Sequence, residues 1–450
     1  MRMKHNGPKH PSTAYTVRHF TLFRMFFSAR FYYPVYALLF LDFGLSLQQF
    51  AVLNGLWALT IVLCEVPSGA LADTLGRRSL LIAAGVLMLL EMAVLLLAPI
   101  GGGAALFGFF VVNRILSGLA EAAASGADEA LVYDALKAAG REDSWGQVLA
   151  RVQRDTSLAF FFALTIGAAV YDPRMVNAVL NFCGYQGVVV QAQLVKLPIA
   201  LSLLAALVVL WSALRLRETS RVPSQRIAAT VADSWRQIGI AARWIWATPF
   251  AFAIILAVMV TDSSVRQFLT LASEYWHVIE LPIASYGLIG SSMSLLGIVI
   301  PRIALRLTAT QTPLRNFFLS CALIGGGLFG LAQIYPYWGI LPAACLFAAM
   351  YLMNFFASHY LNAIAPSEHR ATILSFKGLS TNVAYGLVAL LYSGLIVTLQ
   401  ASGEASLASA DSKPVFVESL QWLPGYFILT LVMMLVWHRL RFGARSLTLE

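Results

Sequence analysis

Residues 69–78 read Gly69-Ala-Leu-Ala-Asp73-Thr-Leu-Gly76-Arg77-Arg78. An apolar span at 48–71 runs into this stretch and another at 79–98 leaves it. Gly76 permits a tight turn, and Arg77 and Arg78 suit a layer of anionic headgroups. The two spans therefore read as membrane helices joined by a short charged turn at one membrane face. Gly69 would let the first helix approach a neighbour closely, as small residues do between membrane helices. Asp73 is a carboxylate at a membrane boundary and needs a partner.

The same texture covers the whole chain. Of its 450 residues, 59% are hydrophobic and only 12% charged, about half the charged share of a soluble domain. The apolar residues come in long blocks, and about 20 of them cross a hydrocarbon core of about 30 Å. Backbone groups in lipid must be satisfied within their own segment, which demands helices; the alternation of barrel strands is absent. Spans are expected at 21–44, 48–71, 79–98, 104–126, 147–170, 187–213, 246–271, 284–305, 316–334, 338–362, 372–398 and 421–440. The fold class is thus all-α integral membrane with twelve transmembrane helices. Arg24 and Arg30 make the first span irregular, and Lys196 and Pro198 interrupt the sixth.

With the amino terminus inside, the inner side collects nearly all basic residues, and the outer loops hold only Arg174 and Lys413. That asymmetry follows the positive-inside rule and places both termini in the cytoplasm. The net charge of +9 is therefore a topology signal and does not imply a nucleic-acid partner. The first twenty residues lack an apolar core followed by a cleavage site, so no removable signal peptide is expected. Cys64, Cys183, Cys321 and Cys345 are scattered, which suits neither a disulfide framework nor a metal set. No Asn-x-Ser/Thr sequon occurs, in keeping with a bacterial inner membrane. The expected division is a first six-helix bundle at 1–214, a cytoplasmic linker at 215–245 and a second bundle at 246–450. Within the linker, Val231, Trp235, Ile238 and Ala242 oppose Asp233, Arg236, Gln237 and Arg243. This is either a helix lying on the inner membrane face or an ordinary helical linker.

Three stretches carry a resemblance. Glu65 to Arg78 resembles the signature loop of the major facilitator superfamily, Gly-x-x-x-Asp-x-x-Gly-Arg-Arg/Lys. Asn113-Arg114-Ile-Leu-Ser117-Gly118 is similar to a second motif of that family, Arg-x-x-x-Gly. Pro366-Ser-Glu-His-Arg370-Ala-Thr372-Ile-Leu-Ser375 is similar to its pattern at the inner end of the eleventh helix. The resemblance implies two six-helix bundles and secondary active transport of a small solute by alternating access, coupled to protons. It also implies that Asp73 faces the amino terminus of the eleventh helix, near Arg370. There Thr372 or Ser375 would cap the helix and the dipole would attract the carboxylate, holding the halves together on the inner side. The alternative is a topogenic turn with no gating role. The counterpart loop around Pro301-Arg302-Ile-Ala-Leu-Arg306 has lost the motif, and residues 158–171 lack the Gly-Pro-rich motif of many drug exporters. The direction of transport stays open.

An unpaired arginine at the depth of Arg114 costs about 2.5–3.5 kcal/mol on insertion scales. Glu121 lies seven residues on, two turns along the same face. Asp128 follows after seven more, beside Glu129. A polar stripe of Arg114, Glu121 and Asp128 is expected, and the resemblance associates the arginine with proton handling; the alternative is a static ion pair that fixes packing. Asp262 and Arg266 stand four apart and can pair, either in a substrate cavity or at an external gate, with Thr261 and Gln267 adding hydrogen bonds. Arg30, Tyr32, Tyr33 and Tyr36 are candidate cavity residues, as are Asn354, His359 and Asn362. His359 either titrates near neutral pH or packs. Glu91 either pairs or stays protonated.

Two other classes compete with transport. One is a receptor or sensor that uses this fold without moving solute. The other is a membrane enzyme, for which no catalytic set has convincing spacing. No ATP-binding motif is present. Expected partners are a small-molecule substrate, protons and membrane lipids. No cofactor or metal is called for, and a monomer is expected.

Overall fold

The computed structural model describes residues 11–125, 127–218, 227–366, 370–402 and 413–443, and all regular structure among them is helical. The chain opens with α1 (Pro11–Ser28), a 3-10 turn at Tyr33–Val35 and α2 (Tyr36–Asp42). The continuous first helix expected at 21–44 is therefore broken, and it begins ten residues earlier. Pro34 accounts for the break. It has no N–H to continue the helical ladder, and the Arg30 carbonyl it would have used accepts from Tyr33 N instead, at 3.1 Å. The freed Phe31 N–H donates to Ser202 Oγ at 3.0 Å.

Next come α3 (Leu47–Leu75) and α4 (Arg77–Leu97). Ser46 and Gln49 form a capping box that starts α3. Gly76 alone separates the two helices, at φ 92°, a conformation that favours glycine. Then follow α5 (Ala104–Ala124), α6 (Ala127–Ala138) and α7 (Trp145–Tyr171). Asp172 caps α8 (Pro173–Phe182), which turns 83° away from α7. After the single turn α9 (Gln191–Leu194) comes α10 (Leu197–Arg215). The sixth span, expected at 187–213, runs over Gln191–Arg215, with α9 and α10 together. Pro198 initiates α10, as proline does at a first helical turn, and Lys196 Nζ folds back to the Leu96 carbonyl at 2.9 Å.

The linker contains a real helix, α11 (Ile227–Ala247). The remaining helices are α12 (Pro249–Val278), α13 (Ser285–Thr310), α14 (Pro313–Ala332), α15 (Ile340–Ile364), α16 (Arg370–Ser402) and α17 (Lys413–Phe442). Among the described residues, ten helices are long and apolar enough to cross a membrane, or eleven with α7 and α8 taken as one bent span. The twelfth expected span corresponds to α1 with α2, whose pieces are too polar or too short to qualify.

Long helices are joined alternately at two ends of the bundle. Arg77, Arg78, Lys137, Arg141, Arg215 and Arg217 lie at one, the basic end; the turns at 43–46, 98–103 and 279–284 lie at the other. α1, α3, α4, α5, α7 and α10 pack among themselves, as do α12 to α17. The two sets meet where α3 packs on α16, α7 on α13, and α2 on α12. These meetings lie away from the basic end. Gly55 of α3 faces Gly386 and Leu390 of α16, and Gly287 of α13 abuts the Leu164 carbonyl of α7. Ser273 of α12 accepts from the Ala37 and Leu38 amides at 2.9 and 3.1 Å. At the basic end α11 touches both α3 and α16. Its buried Ala241 and Ile245 join the apolar cluster of the second set, with Ile254, Leu361 and Ile373, while Trp235, expected on its apolar face, is exposed.

Candidate functional site

Between the two sets of helices lies a cavity of about 400 Å³. Tyr33, Tyr36, Asn54, Trp57, Arg114 and Ser117 line it from the first set. Arg266, Thr270, Ser273, Trp276, Tyr286 and Tyr385 line it from the second. A second space of about 580 Å³ opens toward the basic end, lined by Arg24, Glu121, Ser125, Asp128 and Glu129, and shares Tyr33 and Phe160 with the first. The two adjoin at these residues, the second on the basic side of the first, while the helix meetings above lie toward the other end.

One wall of the cavity is built on a buried ion cluster. Glu91 of α4 is 0% exposed, Arg30 1% and Arg114 4%. Arg30 Nη1 donates to Glu91 Oε2 at 2.5 Å and Tyr32 Oη to Glu91 Oε1 at 3.3 Å. Arg114 Nε donates to Asn113 Oδ1 at 2.8 Å, and its Nη1 to Tyr36 Oη at 2.7 Å. Tyr36 passes the chain to Asn54 Oδ1 at 2.7 Å. Arg114 Nη2 stands 3.9 Å from Glu91 Oε1, too far for a hydrogen bond, and finds no hydrogen-bond partner among the described residues. The break between α1 and α2 makes this possible. It delivers Arg30 and Tyr32 sideways into the bundle, where a continuous helix would send them around its axis.

This corrects the expected stripe of Arg114, Glu121 and Asp128. The carboxylate nearest Arg114 is Glu91, from a neighbouring helix. The stripe is cut by the end of α5 at Ala124, since the chain leaves helical geometry at Ser125 and Asp128 belongs to α6. There Asp128, 1% exposed, accepts from Arg24 Nη1 at 2.8 Å and from the Glu129 amide at 2.7 Å. Glu121 stays on the wall of the basic-end space.

On the opposite wall Arg266 and Asp262 pair as their spacing predicts, at 2.6 Å. Arg266 also donates to Asn382 Oδ1 at 2.8 Å and lies 5.2 Å from the centre of the Tyr385 ring. Both residues fall mid-way along α12, so the external-gate placement does not fit. Arg266 lines the cavity; Asp262 sits behind it in a small pocket with Thr261 and Asn354. Asn354 and His359 do not line the central cavity. His359 is exposed and stacks on Phe355 with ring centres 6.0 Å apart. Asn362 bonds back to its own helix at Ser358.

The signature loop is tied to neighbouring segments of the protein. Arg77 donates to Asp134 Oδ2 at 2.5 Å and to the Ala130 carbonyl at 2.8 Å, and its amide donates to Glu218 Oε1 at 2.8 Å. Arg78 reaches the Leu214 carbonyl at 3.0 Å. The turn at Gly76 rests against Glu218. Around Gly69 nothing described comes within 4 Å of where a Cβ would stand, so no close helix approach explains it. Gly118 does have one, with Thr60 packed against it. The side chains of Asp73 and Arg370 lie outside the described residues, as do Ser367, Glu368 and His369. α16 already includes Arg370, so Thr372 and Ser375 sit inside the helix and do not cap it.

Sequence reading missed Asn54, Trp57, Tyr385 and Asn382 as site residues, and did not join Arg30 to Glu91. Asn54 and Asn382 had a visible signal, each being an amide well inside an apolar span. Trp57 and Tyr385 had none, because aromatic residues face lipid as readily as a cavity.

No curated protein matches this sequence significantly. Solved structures match closely in shape. The nucleoside transporter NupG superposes with a TM-score of 0.67 at 11% identity, covering 94% of this chain and 98% of that one. A bacterial homologue of the human lysosomal transporter Spinster, in an inward-facing, unoccupied conformation, gives 0.67 at 15% identity, with 96% and 97% covered. A D-xylose–proton symporter gives 0.62 at 14% identity, with 94% and 95% covered. At these identities the likeness shows the fold. The sequence itself matches the profile of the Major Facilitator Superfamily over residues 19–389, and with that span aligned the chain is a member of this family of membrane transporters.

Proposed function

We propose that the chain is a proton-coupled secondary transporter that moves a small solute by alternating access, its halves 1–214 and 246–450 rocking about the central cavity. The observation that carries this reading is the pair of adjoining cavities from mid-bundle toward the basic end, with helices of both sets meeting on the opposite side. By the positive-inside rule the basic end is cytoplasmic, so the conformation described is open inward, in a plasma membrane of bacterial type. The opposite, outward-open state requires the α3–α16, α7–α13 and α2–α12 meetings to part and the basic end to close. Asp73 and Arg370 lie on the two sides of that closure, which supports a gating role for the signature loop.

Proton coupling needs a carboxylate that meets water in one state and another partner in the next. Glu121 fits this role. It lines the basic-end space within electrostatic reach of Arg30 and Arg24. It stands two helical turns from Arg114, about 10 Å along the axis.

The test is solute flux into proteoliposomes with and without a pH gradient, in wild type, Arg114→Ala, Glu121→Gln and Asp73→Asn. Gradient-driven accumulation should vanish in Glu121→Gln while exchange of solute persists, and Asp73→Asn should slow both processes. Accumulation that ignores the gradient in wild type would remove the coupling. No flux of any solute from a correctly inserted chain would favour a sensor.

A further inference from the structure

We infer that the central cavity binds an organic anion, a carboxylate or phosphate carried on a flat apolar body, held between Arg114 of the first half and Arg266 of the second. The inference rests on the cavity being the transport site.

Among the described residues the cavity is lined by two guanidinium groups and by no Asp or Glu. Its charge is incompletely balanced. Among the described residues Glu91 is the one carboxylate within ion-pair reach of Arg30 and Arg114, at 2.5 and 3.9 Å, and it is buried behind the wall, outside the lining. On the other side Asp262 neutralises Arg266 from behind, in a separate pocket, so the cavity still sees the guanidinium and not the carboxylate. Arg114 Nε and Nη1 are taken by Asn113 and Tyr36, and Nη2 faces Glu91 on the buried side, so Arg114 acts on a ligand in the cavity through its charge. An anion between the two arginines supplies the counter-charge that the lining lacks and touches both halves at once. Carboxylate and phosphate both match the planar fork of arginine.

The rest of the lining describes the body of the ligand. Tyr33, Tyr36, Trp57, Trp276 and Tyr385 give flat apolar walls. A volume of about 400 Å³ is in the range of small-molecule sites, and a bare inorganic ion would leave most of it empty. A cationic ligand would face Arg114 and Arg266 with no counter-charge in the lining.

The test is equilibrium binding to the purified full chain in nanodiscs, without any gradient. Four probes share a ring and differ in charge: benzoate, phenyl phosphate, benzamide and benzylammonium. At least one of the two anions should bind saturably, and neither the amide nor the ammonium should bind at comparable concentrations. Arg114→Gln and Arg266→Gln should each weaken anion binding by about tenfold or more. Arg266→Lys should recover part of that loss, and Asp262→Asn should keep or tighten binding, which a merely structural role for this pair would not produce. Binding of the amide or ammonium as tight as that of the anions would overturn the proposal. So would saturable binding by neither anion, or unchanged affinity in both glutamine variants. Flux failures read differently. Flux of a cationic or neutral solute with no anion binding would overturn this site and leave the transporter standing; anion binding without flux would do the reverse.

Discussion

Glu91 shows how a buried charge outside its own helix escapes a sequence reading. Arg114 was visible in the sequence as a cation that needs a partner, and its motif placed it on the fourth span. Spacing along one helix pointed to Glu121, because periodicity reports only neighbours on the same element. The actual carboxylate comes from α4, and its closer partner, Arg30, comes from a break in the first helix that no period reveals. Counting charges by depth would have joined them, since Arg30, Glu91 and Arg114 all fall inside apolar blocks. Asp262 and Arg266 were legible because both partners share α12. The cluster sets a stability expectation. Glu91→Gln leaves two buried guanidiniums with no counter-charge, which should cost about 3–5 kcal/mol and lower the melting temperature of the solubilised chain. Adding Arg30→Gln removes one of the stranded charges and should recover part of the loss. A single variant that melts like wild type would mean that the ion pair contributes nothing to folding.

At the scale of elements, apolar block length predicted where most helices run, because lipid leaves the backbone no other choice. The errors cluster where protein contacts replace lipid. The first helix breaks at Pro34 because Ser202 can take up a freed amide. The sixth span is interrupted between α9 and α10, where Lys196 folds back to the Leu96 carbonyl and Pro198 starts the longer helix. Amphipathic spacing foresaw α11, but its buried residues are Ala241 and Ile245, which join the apolar cluster of the second set. Close approach between helices was equally hidden. Gly69 looked like a contact glycine and has open space, whereas Gly287, unremarked in the sequence, lies directly against the Leu164 carbonyl. A side chain at 287 cannot fit while α13 and α7 meet. Gly287→Val should therefore weaken closure of the end opposite the basic loops. With the four native cysteines replaced by serine, Ala284→Cys should react faster with a membrane-impermeant thiol reagent when Gly287→Val is present. Equal rates would show that this contact does not hold that end shut.

Across the whole molecule, the family motifs and the charge asymmetry between loops carried the architecture, while the conformational state was invisible in the sequence. Which end is open depends on many small contacts between α3 and α16, α7 and α13, and α2 and α12, each of modest energy and none with a sequence signature. Gly55 and Gly386 mark one such meeting, the Gly386 carbonyl lying 3.5 Å from the Cβ position of Gly55. Cysteines at both positions, oxidised to a disulfide in the same serine background, should tie the two sets of helices together in the state described here. Solute flux in proteoliposomes should then fall to background and return on reduction. Flux that persists through the cross-link would mean that this meeting does not part during the cycle.

The helix α11 leaves one more consequence. It touches both α3 and α16, and it turns Trp235, Arg236, Arg243 and Trp246 outward. Aromatic and cationic side chains of this kind settle among anionic headgroups, each basic residue near the surface being worth about 1 kcal/mol. Whatever the leaflet does to this helix it does to both halves together, so the lipid mixture acts as a load on the rocking motion. Transport in liposomes should change as the anionic fraction rises, and the change should shrink when Arg236 and Arg243 become glutamine. The surrounding bilayer would then be a working part of the machine, adjustable without altering the protein.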